Sequence, residues 1–272
     1  MNTTFVRSPA VAGRFYPGHR ADLLRELRQY TTPTESHRVA AIGCVSPHAG
    51  YMFSGHVAGA VFSRIEVPEH CVIIGPNHTG RGVPLAVMSA AAWETPLGEV
   101  AASVDLGSRL MRRFPDLEEN SAAHRAEHAI EVQLPFLQVV QKNLHILPIA
   151  VGTRDYASLS GLGEALAEVI AAAPEKVLIV ASSDMNHYES DTVTRVKDRK
   201  AIERVLALDP RGLWETVMNE DISMCGFGPT VIMLTAARKL GATSATLVRY
   251  ATSGETSGDY DQVVGYAGLI VQ

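Results

Sequence analysis

Four runs of consecutive apolar residues, at 39–45, 71–75, 145–151 and 177–181, constrain this chain more than any other feature. They are rich in Val and Ile and show no alternation of polar with apolar residues. Each therefore predicts a strand covered on both faces. Runs at 245–250 and 263–271 predict two more strands. Between them lie helical patterns: "SGHVAGAVFSRI" with Ser54 as N-cap, "YASLSGLGEALAEVIAAA", and "DTVTRVKDRKAIERVLAL". Asp209 is placed to cap "PRGLWETVM", and Pro229 to open a helix reaching Lys239 or Leu240. Strand and helix in alternation predict an α/β class fold, a three-layer α/β/α domain around a largely parallel sheet. No linker, repeat or shift in composition divides residues 1–272, so a single domain is expected.

Composition narrows the function classes. The 272 residues carry a formal net charge of −5 and no basic run, which argues against a nucleic-acid or anionic-membrane surface. No apolar stretch approaches the ~18 residues needed to span a bilayer. The opening "MNTTFVRSPAVAGRFYP" lacks the features of a signal peptide. Cys44, Cys71 and Cys225 are too few and scattered for a disulfide framework. A reduced, cytoplasmic protein is expected.

In open α/β sheets, ligands bind beyond the carboxyl ends of the strands. His48 in "SPHAGYMFSGH", His78 in "GPNHTG" and His187 in "SSDMNHYE" each stand a few residues past a predicted strand end. Pro47, Gly50, Pro76, Asn77, Ser182 and Ser183 let the backbone turn there. Three strands are thus expected to deliver three imidazoles to one rim. His19, His37, His70 and His145 lack such a context, and His56 is read as a packing residue.

Cys225 lies in "MCGFGP", just ahead of a predicted helix whose positive end favours thiolate. Two imidazoles and one thiolate suit Fe(II), zinc or copper and leave coordination positions open, as catalytic sites do. Asp184 and His187 are placed as orienting carboxylate and general base, although Asp184 is equally a helix cap. In "AEHAIEVQLPF", His128 and Glu131 are three apart on a predicted helical face. They are read either as acid/base or substrate contacts, or as helix-start electrostatics. The polar loop 252–262, with Ser253 and Asp259, is expected to cover the crevice or to be a plain hairpin turn. A serine-hydrolase elbow, a P-loop and a dinucleotide fingerprint are absent from the sequence.

Taken together, "PAVAGRFYP", "PHAGYMFSG", "GPNHTG", "EHAIEVQLPF", "SSDMNHYE", "MCGFGP" and "YATSGETSGDY" resemble the Memo family from Ala10 to about Gly268. The likeness is greatest to its prokaryotic branch, AmmeMemoRadiSam system protein B. That resemblance implies a fold like the LigB-type class III extradiol dioxygenases, which are non-haem iron enzymes. It implies His48, His78 and Cys225 as metal ligands, with His187, Asp184 and His128 as catalytic residues in the same cleft. Tyr51, Glu131, Ser253 and Asp259 are the expected substrate contacts. Fe(II) is the first expectation for the ion, with copper or zinc as alternatives. Cys225 stands where the dioxygenases place a carboxylate, which turns the expectation from catechol cleavage toward other redox chemistry. A zinc-type hydrolase, or a partner module binding metal or peptide, are the competing readings. Eukaryotic relatives are associated with phosphotyrosine peptides, yet "SSDMNHYESD" is acidic. The family name also implies a radical-SAM partner protein.

Overall fold

The computed structural model describes residues 5–31 and 38–272; His37 lies outside the described residues. The chain opens with β1 (Phe5–Arg7), α1 (Arg20–Tyr30), β2 (Gly43–Ser46), α2 (Tyr51–Arg64), β3 (His70–Pro76) and β4 (Leu85–Val87). Next come β5 (Ala91–Thr95), β6 (Gly98–Ala102), α3 (Val104–Arg113), β7 (Glu118–Glu119), α4 (Leu134–Val140), β8 (His145–Val151) and α5 (Tyr156–Ala171). The last third is β9 (Val177–Ser182), β10 (His187–Glu189), α6 (Asp191–Leu206), α7 (Pro210–Asn219), α8 (Phe227–Lys239), β11 (Ala245–Thr252), α9 (Gly254–Ser257) and β12 (Val263–Val271).

One sheet runs β1-β5-β6-β8-β3-β9-β2-β12-β10, with β11 on β12 and β4 on β8. Its middle, β6-β8-β3-β9-β2, is parallel, and β12 joins β2 antiparallel. The unbroken apolar runs are explained by what covers them. Val45, Val72, Ile74, Ile179 and Ala181 face a core shared with α3, α5, α7 and α8. Their neighbours Cys44, Cys71, Ile73, Leu178 and Val180 face a second core built with α1, α2 and α4. Burying alternate side chains on opposite faces removes any need for polar positions. A three-layer α/β/α arrangement results. Burial also holds the thiols of Cys44 and Cys71 well above their ordinary pKa, as expected of inert core residues.

Several boundaries differ from expectation. Residues 39–42 are not strand: Val39 makes only an isolated bridge to Ile65. Helix α2 starts at Tyr51, and the Ser54 hydroxyl donates to the Ala49 carbonyl instead of capping. Helix α8 starts at Phe227, two residues before Pro229. Asp209 does cap α7, accepting from the Gly212 amide. The β5–β6 hairpin was not anticipated, because Ala and charged residues dominate it; the pairing of buried Trp93 with Val100 holds it in place.

Candidate metal centre

Strands β2, β9 and β3 are neighbours in the sheet, so their carboxyl ends share one rim. His48 follows β2 and His78 follows β3 within two residues. His128 reaches the same place from the segment that crosses above β3. Ring centroids lie 5.2 Å apart for His48 and His78, 5.4 Å for His48 and His128, and 4.7 Å for His78 and His128. One ligand atom from each of the three falls within 4.8 Å of the others, a spacing that could hold a metal ion.

Hydrogen bonds assign the ring tautomers. The Ser182 hydroxyl donates to the Ala129 carbonyl at 2.6 Å and accepts from Gln133 Nε2 at 2.8 Å. Its remaining lone pair faces His48 Nδ1 at 2.9 Å, so that nitrogen carries the proton and Nε2 keeps its lone pair. His78 Nδ1 lies 3.0 Å from Glu127 Oε1, and His128 Nδ1 lies 3.2 Å from the same oxygen. The buried carboxylate therefore accepts from His78 Nδ1 and leaves the Nε2 atom of that ring available, with the His128 ring stacked beside it. Carboxylate behind histidine is the usual support for a metal ligand.

Glu127 also accepts backbone amides from His78, His128 and Ala129. Burial alone would raise its carboxyl, but the hydrogen bond and charge of His78, with Ala129 and His128, hold it at about 2. Burial keeps His48 well below the usual imidazole value, and His128 and His78 add to the effect. Burial lowers His128 as well. For His48 and His128 this favours the neutral imidazole, the form that ligates metal.

Cys225 sits in the tight turn before α8. A Cβ on Gly226 would collide with the Ser182 carbonyl and the Ser183 side chain, so only glycine lets this turn approach β9. The thiol comes within 3.2 Å of His48 Nε2 and 3.7 Å of the Asp184 carbonyl. The thiolate expected from the helix terminus is opposed by the surroundings of Cys225. Burial, and then the Asp184 charge, push the thiol well up, outweighing the amides at the turn. A bound cation would reverse that balance. Asp184 does not cap a helix: its Oδ1 accepts the His48 amide at 2.7 Å and the Ala49 amide at 3.3 Å, fixing the backbone that carries His48.

A cavity of about 590 Å³ opens over this group. His187 lines it on the far side, with Nδ1 donating to the Ser223 carbonyl at 2.9 Å, so its Nε2 is a free acceptor. Tyr188, Val264, Tyr266 and Phe15 complete the walls. Tyr188 holds a left-handed φ of 60° and is 73% exposed, a strained position at the cavity mouth.

The four expected substrate contacts lie elsewhere. Glu131 points away from His128, because residues 131–133 form a 3-10 turn and not the expected continuous helix. Its fully buried carboxylate pairs with Arg7 and accepts the Ala10 and Val11 amides and the Tyr16 hydroxyl. Tyr51 is buried and donates to the Val132 carbonyl. Ser253 accepts the Val264 amide behind the cavity wall, and Asp259 is exposed and closes its own turn. Sequence reasoning missed Glu127, Ser182 and Gln133. The only local sign of Glu127 was a carboxylate directly preceding His128.

Behind this centre, His124 is fully buried, with Nε2 donating to the Ala86 carbonyl and Nδ1 without a hydrogen-bond partner among the described residues. Burial holds it at about 4. A histidine whose pKa is depressed by folding binds fewer protons folded than unfolded, so stability falls as pH drops from about 6.5 toward 4. The unfolding free energy from urea titrations across that window should decline on the order of 3 kcal/mol more for the wild type than for His124→Gln, which keeps the donor to Ala86. Parallel curves would remove His124 as the cause.

Comparison with known proteins places the chain in a family. The family described as "Memo-like protein" matches residues 7–270. A MEMO1 family protein of Methanosarcina barkeri is 42% identical over 268 residues, covering 98% of this chain and 100% of the relative. MEMO1 family proteins of Methanopyrus kandleri (41% over 277 residues, 97% of this chain and 98% of the relative) and Aquifex aeolicus (42% over 268 residues, 97% and 98%) are similar throughout. With the match running from the strand that carries Arg7 to the last strand of the sheet, the chain belongs to the Memo family.

Proposed function

We propose that this protein is a metal-dependent redox enzyme acting on a small molecule held in the cavity above His48. The observation that carries this reading is the donor set: three imidazoles that each bring a ring nitrogen within 4.8 Å of the others, and one thiol 3.2 Å from His48 Nε2. Mixed nitrogen and sulfur donors fit Fe(II) or copper, and also zinc. His48 and His78 would hold the ion with Cys225, and His128 stands at the same centre as a further donor. When bound, such an ion supplies one-electron exchange with oxygen and with a reduced substrate. Glu127 and Ser182 keep the imidazoles oriented, and Asp184 fixes the backbone of His48. His187 Nε2, facing the cavity, accepts or returns a proton of the substrate. Phe15 and Tyr266 give the cavity apolar walls beside the reacting end.

The test is metal content by mass spectrometry after anaerobic purification, followed by oxygen uptake with a reductant. Iron or copper near one per chain, with uptake that Cys225→Ser abolishes while the fold is kept, is the expected result. Stoichiometric zinc with activity indifferent to oxygen would replace redox chemistry with hydrolysis. A chain that takes up no ion even on reconstitution would overturn the reading.

A further inference from the structure

The segment "PAVAGRFYP" contributes no ligand, yet it is among the most firmly held loops in the molecule. The Glu131 carboxylate takes the Ala10 and Val11 amides and the Tyr16 hydroxyl, and the Phe15 carbonyl accepts the Tyr51 amide at 2.7 Å. Gly13 turns the chain with a φ of +79°, and Arg14 and Phe15 amides both return to the Val11 carbonyl. Such anchoring fixes two side chains. Phe15 lies against His128, ring centroids 4.8 Å apart. The Arg14 side chain is exposed, and its guanidinium makes no ion pair or hydrogen bond among the described residues.

Phe15 and Gly50 form a wall common to two cavities. One is the cavity above His48; the other, of about 440 Å³, is lined by Arg14, Met52, Phe53 and Glu26. We propose that the second cavity is the acid-binding end of the substrate site, in which Arg14 receives a carboxylate while the ligand's apolar body lies over Phe15 and its other end reaches the His48 centre. The substrate class is thus an organic acid with an apolar, ring-sized spacer between carboxylate and reacting group. A guanidinium matches a carboxylate with two parallel hydrogen bonds. Glu26, which accepts from the Tyr30 hydroxyl at 3.2 Å, stands in the same cavity and repels a doubly charged phosphate more than a singly charged carboxylate. The naming of a substrate rests on the reaction proposed above; the acid-binding end itself does not.

The experiment is calorimetric binding of 3-phenylpropionate, 3-phenylpropionamide and 2-phenylethyl phosphate to wild type, Arg14→Ala and Arg14→Lys. The wild type should prefer the acid to the amide about tenfold, the scale of one charge-assisted hydrogen-bonded contact. Arg14→Ala should lose that preference and Arg14→Lys keep part of it, both with unchanged melting temperature and metal content. Equal binding of acid and amide, a preference that survives Arg14→Ala, tighter binding of the phosphate, or no binding of any probe at millimolar concentration would each overturn the proposal. A wild type without metal that still shows the Arg14-dependent preference would sink the redox reading and leave the acid-binding end standing.

Discussion

Glu131→Ala should destabilise the protein by about 3–5 kcal/mol, the cost of leaving a buried charge without its partner. The charge left behind is Arg7, 2% exposed, whose guanidinium lies 4.3 Å from the centre of the Trp93 ring and also donates to the His124 and Glu127 carbonyls. The Ala10 and Val11 amides and the Tyr16 hydroxyl lose their acceptor in the same step. The double variant Arg7→Met/Glu131→Leu should recover part of the loss, because an apolar pair removes the stranded charge but leaves those donors unsatisfied. Urea unfolding of the three proteins checks this. A loss below about 1 kcal/mol for Glu131→Ala would mean that water reaches Arg7, contrary to its burial.

Metal affinity should fall about 10–100-fold in Glu127→Gln, the range seen when a carboxylate behind a ligating histidine is removed. An amide with its oxygen at the Oε1 position still accepts from the His78 ring and the His128 and Ala129 amides, but its NH₂ end then opposes the His78 amide that donates to Oε2. The stacked rings then lose the negative charge beside both Nδ1 atoms, and the backbone that carries His78 loses its acceptor. His48→Ala, measured beside it, should show no detectable uptake of the ion. Competition with a chelator of known affinity, on protein shown by circular dichroism to be folded, separates lost affinity from lost structure. Affinity equal to wild type in Glu127→Gln would mean that the two imidazoles hold their orientation without it.

The legible parts of this molecule were those written in short-range pattern. Val72, Ile73 and Ile74 face alternate cores, and a run without polar residues is the direct trace of a strand covered on both sides. His48, His78 and His187 were placed at the rim because small and turn-forming residues mark where those strands stop. What escaped depends on partners remote in the chain. Arg7 and Glu131 are 124 residues apart, and nothing near either one announces the other. The spacing of His128 and Glu131 suggested a common face, yet a turn preceding α4 sends one into the cavity and the other into the core. Cys225 was read from its helix terminus alone. The surrounding burial and the Asp184 carboxylate, which only the folded chain assembles, decide its protonation.

The position of β12 has a consequence for how the molecule comes into being. Its residues Leu269, Ile270 and Val271 pair with Val45, Cys44 and Gly43, so the strand that carries His48 gains one of its two neighbours last of all. Val264 and Tyr266 of the same strand wall the cavity. During synthesis, β2 leaves the ribosome early and waits with an open, apolar edge until residues 263–271 have been made. Pairing across so long a loop is slow. Pulse-labelled nascent chains should therefore be captured by chaperones through most of translation, and acquire protease resistance and metal-binding competence together, in a single late step.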